Sequence, residues 1–218
     1  MKILAVEFSS LVRSVAILES HGDAPATVLA RVAETGGRRA LGLVSEALEA
    51  AHCEREELEA IAIGLGPGSY TGIRGAIALA QGWQLGRGVR LLGVSSVECL
   101  AAQAADEKIF GAVNIVIDAQ RNEFYLAKYE IALSQWPETE ALRLAPIAEI
   151  EKLAQAGQTI IGPEARAWFP SARDLYPDAA VLGRLAGNRR DYVPGEKLEP
   201  IYLRETTFVK APPIRVIN

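Results

Sequence analysis

The sequence predicts an α/β fold made of two similar halves, and two observations carry that prediction. First, a unit of two short apolar strands joined by a polar turn occurs twice along the 218 residues. Second, short apolar segments alternate with longer amphipathic ones, the pattern of strands followed by helices. A chain of this length can bury a substantial core, either as one domain or as two small lobes.

The repeated unit consists of an apolar strand, an acidic residue, a polar turn and a second strand. It covers residues 3–19 in the first half and residues 114–130 in the second half. A constant offset of 111 residues aligns the two units without a gap and places Glu7 opposite Asp118. An apolar run that ends in a carboxylate is typical of a buried strand that brings one charged group to a sheet edge. The two hairpins therefore predict a duplicated architecture.

A glycine-rich segment, residues 66–74, lies between an apolar strand and an apolar helix and reads Gly-Pro-Gly-Ser-Tyr-Thr-Gly-Ile-Arg. Glycine allows positive φ in such a turn, and a hydroxyl at Ser69 or Thr71 can cap the first free N–H groups of the helix. A turn of this kind can also hold an anion. Four residues are therefore candidate phosphate contacts: Gly66, Gly68, Ser69 and Thr71. The alternative is a well-capped connection without a ligand.

The helix after this motif, residues 73–88, contains four glycines, at positions 75, 82, 86 and 88. Each interior glycine costs a helix about 1 kcal/mol relative to alanine, so we expect close packing to offset that cost. We predict that one stripe at helical spacing faces outward and meets a partner protein: Arg74, Ala78, Gln81 and Leu85. The alternative is a central helix buried on both sides within its own domain.

The remaining elements fit the same plan. Residues 27–34 and 91–94 are predicted strands, and Ser95 caps a predicted helix that ends at residue 105. In the second half we predict helices at 148–156 and 179–189 and a strand at 159–162, with an irregular tail from Tyr192. The amphipathic helix 41–52 has an apolar stripe of Leu41, Val44, Leu48 and Ala51.

The charged segment 106–108 is the predicted lobe boundary. It separates an N-terminal lobe, residues 1–105, which carries the glycine-rich motif and the partner-binding helix, from a C-terminal lobe and tail, residues 106–218.

Composition and charge indicate a globular protein of the cytoplasm. Half of the residues are hydrophobic and 23% are charged, as in ordinary soluble domains. The formal net charge is -4 and no basic stripe appears, so direct, independent binding to nucleic acid is not expected. Cys53 and Cys99 show no disulfide pattern, which suits a reducing compartment. The early Glu7 is not typical of a signal peptide, and no apolar run approaches a membrane span.

The glycine-rich motif and its helix resemble the signature of the bacterial TsaB (YeaZ) family. Three weaker matches support this resemblance and extend it over nearly the whole chain: residues 3–10, residues 116–125 and residues 200–204. Two departures stand out. The first strand of the family usually ends in Asp, whereas this chain has Glu7. Where relatives often have a histidine before a polar, leucine-rich helix start, this chain has Gly36–Leu41.

The resemblance implies a two-lobed, actin-like (ribonuclease H-like) fold, with a mixed sheet and helices in each lobe. It also implies a non-catalytic subunit that supports TsaD, together with the small ATPase TsaE, in transferring threonylcarbamoyl to the adenosine beside the tRNA anticodon. On this view the chain is not an enzyme by itself, needs no cofactor, contacts tRNA only indirectly and forms a homodimer when alone. The partner interface would comprise the outward stripe of residues 74–85 together with Leu41 and Val44.

The competing hypothesis from another class is an actin-like ATPase or a sugar-kinase-like phosphotransferase. Four residues occupy places where such enzymes hold phosphates and magnesium: Glu7, Ser9, Ser10 and Asp118. However, the turns at 8–11 and 119–122 lack the glycine that would let backbone N–H groups approach a phosphate closely. We therefore interpret these residues as vestigial nucleotide contacts.

Metal-dependent and nucleophilic catalysis have less support. A metallopeptidase needs two histidines at helical spacing and a carboxylate that converge on one ion. The only histidines, His21 and His52, are 31 positions apart and lie in different contexts. No Gly-x-Ser-x-Gly sequence surrounds Ser69. We therefore predict no metal site and no catalytic residue.

Overall fold

The computed structural model describes residues 1–22, 24–36 and 40–203. It contains two five-stranded mixed sheets with helices packed against them, as the sequence predicts. The predicted tail beyond residue 203 and part of the Gly36–Leu41 departure lie outside the described residues.

The first sheet has the strand order β3-β2-β1-β4-β5. Strand β1 occupies the centre, antiparallel to β2 and parallel to β4. All three strands of residues 2–35 and the two later strands fall where the sequence predicts them. Their bounds are β1 Lys2–Glu7, β2 Val12–His21, β3 Ala24–Thr35, β4 Leu58–Gly64 and β5 Arg90–Val94.

The second sheet repeats this topology, with the order β10-β9-β6-β7-β8. Strand β6 is again central, antiparallel to β7 and parallel to β9. The predicted duplication is therefore present in the sheets themselves. The bounds are β6 Gly111–Asp118, β7 Glu123–Ile131, β8 Glu138–Pro146, β9 Thr159–Gly162 and β10 Arg173–Asp174.

Helices cover both faces of the first sheet. Helices α1 (Ala40–Ala50) and α2 (Tyr70–Arg87) pack on one face, in a core that includes Leu4, Ile17 and Ile63. Helix α6 (Ala179–Gly187) packs on the other face, although it comes from the second half of the chain.

Helix α3 (Ser96–Asp106) lies between the two sheets. Val97, Leu100 and Ala101 pack toward the second sheet, while Cys99 and Ala102 pack with α6 and the first sheet. On the far face of the second sheet lie α4 (Ile147–Gln155) and α5 (Ala165–Trp168). Because α3 from the first half packs on the second sheet and α6 from the second half packs on the first sheet, the division of the chain at residue 105 stays a prediction.

The predicted stripe of helix α1 needs one correction. Val44 and Leu48 are buried, but Leu41 is 72% exposed. The buried face also includes Leu43 and Ala47. Because successive residues of a helix are about 100° apart, these two residues place the centre of the buried face away from Leu41.

Candidate functional site

A cleft of about 600 Å³ lies between the two lobes at the ends of β1 and β6. Most of the predicted phosphate contacts line it. From the first lobe these are Ser9, Ser10, Gly68, Ser69 and Thr71, and from the second lobe Asp118. Two predicted contacts, Glu7 and Gly66, are not part of the lining.

Glu7 is fully buried and does not line the cleft. Its Oε1 accepts a hydrogen bond from the backbone N–H of Ser9 at 2.7 Å. Its Oε2 accepts one from the Ser96 hydroxyl at 2.9 Å. Burial raises the pKa of the Glu7 carboxyl, and the hydrogen bonds from Ser9 and Ser96 oppose that shift only in part. Both oxygens are therefore engaged within the chain.

The glycines of the motif allow two backbone segments of the chain to touch. A Cβ at Gly68 would lie 2.1 Å from the carbonyl oxygen of Ser9, and a Cβ at Gly72 would lie 2.0 Å from that of Phe8. Gly68 also has a φ of 146°, which disfavours a side chain. These close contacts explain why glycine is needed at residues 68 and 72, and the explanation involves no ligand.

Ser69 is the N-cap of α2. The sequence predicted that either Ser69 or Thr71 would have this role. Its hydroxyl accepts a hydrogen bond from the Gly72 N–H at 3.3 Å. Its own N–H donates to the Ser9 carbonyl at 2.7 Å. The motif is thereby fixed to the β1–β2 turn.

The equivalent turn of the second lobe repeats one part of this arrangement. Asp118 Oδ1 accepts a hydrogen bond from the Gln120 N–H at 2.7 Å, as Glu7 does from Ser9. Asp118, however, is exposed and faces the cleft. Residues 120–122 all have φ near 60°, so this turn follows a left-handed path without any glycine.

The outward face of α2 differs from the predicted stripe. Arg74, Ala78 and Leu85 are exposed, Leu85 to 90%. Gln81 instead turns toward its own chain, where its Nε2 donates to the Gly195 carbonyl at 2.9 Å. The centre of the exposed face is a row of small residues that includes Gly75, Gly82 and Gly86, and open space surrounds each of these glycines. The described part of the chain therefore does not bury α2 on both sides.

Helices α1 and α2 together form an apolar groove of about 460 Å³. It brings Leu41 and Val44 next to Ala78, three of the residues predicted for the partner interface. The other apolar and small residues of its lining are Leu79, Gly82, Trp83 and Gly86.

Aromatic residues that the sequence analysis did not select lie at the start of α2. The Arg74 guanidinium lies 4.2 Å from the ring centroid of Tyr70. Tyr70 in turn stacks on Tyr202 with the ring centroids 5.7 Å apart. This cluster could not be predicted, because Tyr70 and Tyr202 are far apart in the chain.

Ser96 and Gly64 were also missed as partners of Glu7. A Cβ at Gly64 would lie 1.9 Å from Glu7 Oε2. Gly64, two residues before the motif, was the available signal, whereas Ser96 follows the predicted cap, Ser95, and had no other distinguishing feature.

Neither histidine lies among several potential ligands. His21 is near Glu19, with Nε2 and Oε2 3.7 Å apart, and His52 follows the end of α1 with a φ of 49°. Within residues 1–22, 24–36 and 40–203, no group of three or more His, Cys, Asp or Glu side chains is placed to hold a metal ion. In those same ranges no helix has the length and apolar character needed to cross a membrane.

The two repeated sheets and the cleft between them define a two-lobed, actin-like α/β protein. A family model described as "TsaD: tRNA N6-adenosine threonylcarbamoyltransferase" matches residues 31–181. The tRNA threonylcarbamoyladenosine biosynthesis protein TsaB of Escherichia coli is 31% identical over 198 residues, covering 81% of this chain and 84% of its own. The TsaB protein of Haemophilus influenzae is 29% identical over 234 residues, covering 97% and 98%.

A solved structure agrees with these matches. YeaZ from Pseudomonas aeruginosa superimposes with a TM-score of 0.74 at 26% identity, covering 93% of this chain and 99% of that protein. The chain therefore belongs to this TsaD-related family and, within it, to the TsaB (YeaZ) proteins.

Proposed function

We propose that this chain is an accessory subunit in the synthesis of threonylcarbamoyladenosine in tRNA. It acts by binding a TsaD-like subunit, which carries out the threonylcarbamoyl transfer, and it meets a TsaE-like ATPase within the same complex. The names of its relatives support the pathway, and the surface of α2 supports the mode of action.

The exposed row of small residues on α2 is the observation that carries this proposal. Glycines inside a helix weaken it unless a close neighbour offsets the cost. Gly75, Gly82 and Gly86 have no such neighbour within the described chain, and Leu85 and Leu41 are large apolar side chains left in solvent. A partner helix lying over α2 and the α1–α2 groove would cover all of them. In the absence of the TsaD-like subunit, a second copy of the chain would bind there and form a homodimer.

The cleft supports a non-catalytic role for the chain on its own. In an actin-like ATPase, carboxylates and backbone N–H groups at these positions face the phosphates. Here the Glu7 carboxylate is bonded to Ser9 and Ser96, and the Ser69 N–H is bonded to Ser9. Groups already paired inside the protein gain little from a phosphate, because binding would break existing hydrogen bonds.

The charge of the chain supports indirect contact with tRNA. A formal net charge of -4 at pH 7 repels the phosphate backbone. The TsaD-like subunit would therefore provide most of the tRNA contacts, and the complex would work in the cytoplasm, where tRNA is modified.

Reconstitution of the modification tests the proposal. The TsaD-like and TsaE-like proteins of the same organism would be incubated with tRNA, ATP and threonylcarbamoyl donor, with and without this chain. We expect modified adenosine only when the chain is present, and neither ATP hydrolysis nor modification by the chain alone. Robust ATP turnover by the isolated chain that Asp118→Ala abolishes would instead favour the phosphotransferase hypothesis.

A further inference from the structure

We infer that Glu7 is a positioning residue: its buried carboxylate fixes the glycine turn at residues 66–69 and, through that turn, the start of α2. Only the effect of Glu7 on partner binding rests on the proposed function, because α2 carries the proposed partner face. The hydrogen bonds themselves do not depend on any partner.

One route from Glu7 to the turn passes through the β1–β2 connection. The carboxylate accepts from the Ser9 N–H at 2.7 Å. The carbonyl of Ser9 accepts from the Ser69 N–H, also at 2.7 Å. Ser69 caps α2. The carboxylate therefore holds Ser9, the residue whose carbonyl holds this cap.

A second route passes through the start of α3. The Ser96 hydroxyl donates to Glu7 Oε2 at 2.9 Å and accepts from the Gly66 N–H at 3.1 Å. The Ser96 N–H donates back to the Gly66 carbonyl at 2.9 Å. Since that hydroxyl has a single proton, which is directed at Glu7, the carboxylate determines its orientation. Both ends of the turn, Gly66 and Ser69, are thus reached from one side chain.

The packing around the Glu7 carboxylate leaves no room for its oxygen atoms to take another position. The absence of a side chain at Gly64 makes room for Oε2, and Gly68 lies against the Ser9 backbone. If the carboxylate were removed, the buried donors of Ser9 and Ser96 would lose their acceptor, which is costlier than never having the bond. The turn would therefore shift or open locally.

One consequence is that the partner face is preformed. In a phosphate-binding turn, the ligand itself supplies the negative charge that orders the loop. Here the carboxyl group of Glu7, at the end of β1, orders it from inside. The geometry of α2 should then be independent of any nucleotide in the cleft.

Amide hydrogen exchange on the full chain, read by mass spectrometry, tests the inference. The variants are Glu7→Ala and Glu7→Gln, with Ile150→Val, a buried change in the second lobe, as the control for general loss of stability. We expect exchange in peptides over residues 66–74 to be about tenfold faster in Glu7→Ala. Peptides over β6 and β7 should not change. Glu7→Gln should restore part of the protection, because its amide oxygen can still accept from the Ser9 N–H, whereas its NH₂ group cannot accept the Ser96 hydroxyl proton.

Two results would overturn the inference: unchanged exchange over residues 66–74 in Glu7→Ala, or an equal rise along the whole chain, as a merely structural residue would give. If Glu7→Ala does not fold, Ser96→Ala provides the same test at the second route. Exchange is measured without a partner, so failure of the wild-type chain to bind a TsaD-like protein would count against the proposed function and leave this inference standing.

Discussion

The carboxylate of Glu7 occupies the space that a side chain at residue 64 would need. A Cβ built on Gly64 would lie 1.9 Å from Glu7 Oε2 and 2.5 Å from its carboxyl carbon. The Glu7 carboxylate is thus accommodated by the absence of a side chain at Gly64 on the neighbouring strand β4.

Gly64→Ala should therefore be strongly destabilising in the wild type and much less so together with Glu7→Asp. Overpacking of a buried site costs about 1–3 kcal/mol, and the shorter aspartate withdraws the carboxylate from residue 64. Urea unfolding of the two single variants and the double variant gives the coupling energy. Strictly additive effects would show that the two residues do not share this space.

Gly72→Ala and Gly82→Ala form a matched pair on one helix. A methyl group at residue 72 would meet the Phe8 carbonyl, so we expect a loss of about 1–3 kcal/mol. A methyl group at residue 82 meets open space and should stabilise the isolated chain by about 0.5–1 kcal/mol. Thermal unfolding would distinguish them, and a destabilising Gly82→Ala would mean that the exposed face of α2 is misplaced.

The stability of the chain should depend on pH through Glu7 in a defined direction. Burial raises the pKa of Glu7 above the ordinary value of 4.5. Below that value the group is protonated in both the folded and the unfolded state, so its ionisation does not affect stability. As the pH rises through the higher folded pKa, ionisation lowers the free energy of unfolding progressively.

Glu7→Gln cannot ionise and so removes this pH-dependent cost; its stability relative to the wild type should therefore be higher at pH 7 than at pH 4. Other carboxylates, such as Glu149 beside Arg143, contribute equally to both proteins and cancel in the comparison. Melting temperatures across this pH range provide the measurement. An advantage that grows on acidification would contradict the assigned shift.

Gln81 and Gln84 should contribute to stability and not to partner binding. Gln81 donates to the Gly195 carbonyl at 2.9 Å, and Gln84 accepts from the Gly195 N–H at 2.7 Å. Each alanine substitution should cost about 1 kcal/mol in unfolding, while affinity for the TsaD-like protein stays unchanged. Gln155→Ala, at an exposed position on α4, is the control for stability. Weakened binding would place Gln81 within the interface, as the sequence alone predicts.

The sequence predicted the elements with strong patterns and missed those without. The duplicated hairpins and the Ser69 and Ser95 caps follow from apolar runs, glycines and hydroxyls that act locally. Strand β8 was missed because it is an exposed edge strand whose residues alternate weakly. The first residues of its sequence, Glu138–Glu140, are polar.

In the site, too, features set by neighbouring residues could be predicted, and contacts between distant residues could not. The cleft residues selected from the sequence belong to the two repeated turns or to the glycine-rich motif, so their positions could be predicted. The orientation of Glu7 could not, because it depends on Ser96 and Gly64, which only the folded sheet brings to it. The contact of Gln81 could not be predicted for a similar reason, because Gly195 lies 114 residues away.

The most direct test of the accessory role is the affinity of this chain for the TsaD-like protein of the same organism, measured for the wild type and for Ala78→Arg. Ala78 is exposed and lines the α1–α2 groove, so the variant should fold normally by circular dichroism. Ala156→Arg, the same substitution at an exposed position after α4, is the control.

We expect tight binding by the wild type and by the control. Binding by Ala78→Arg should be about 100-fold weaker or worse, since an unpaired charge buried in the interface costs several kcal/mol. Equal binding by all three proteins would show that the partner does not cover this face of α2. No binding by the wild type would contradict the accessory role itself.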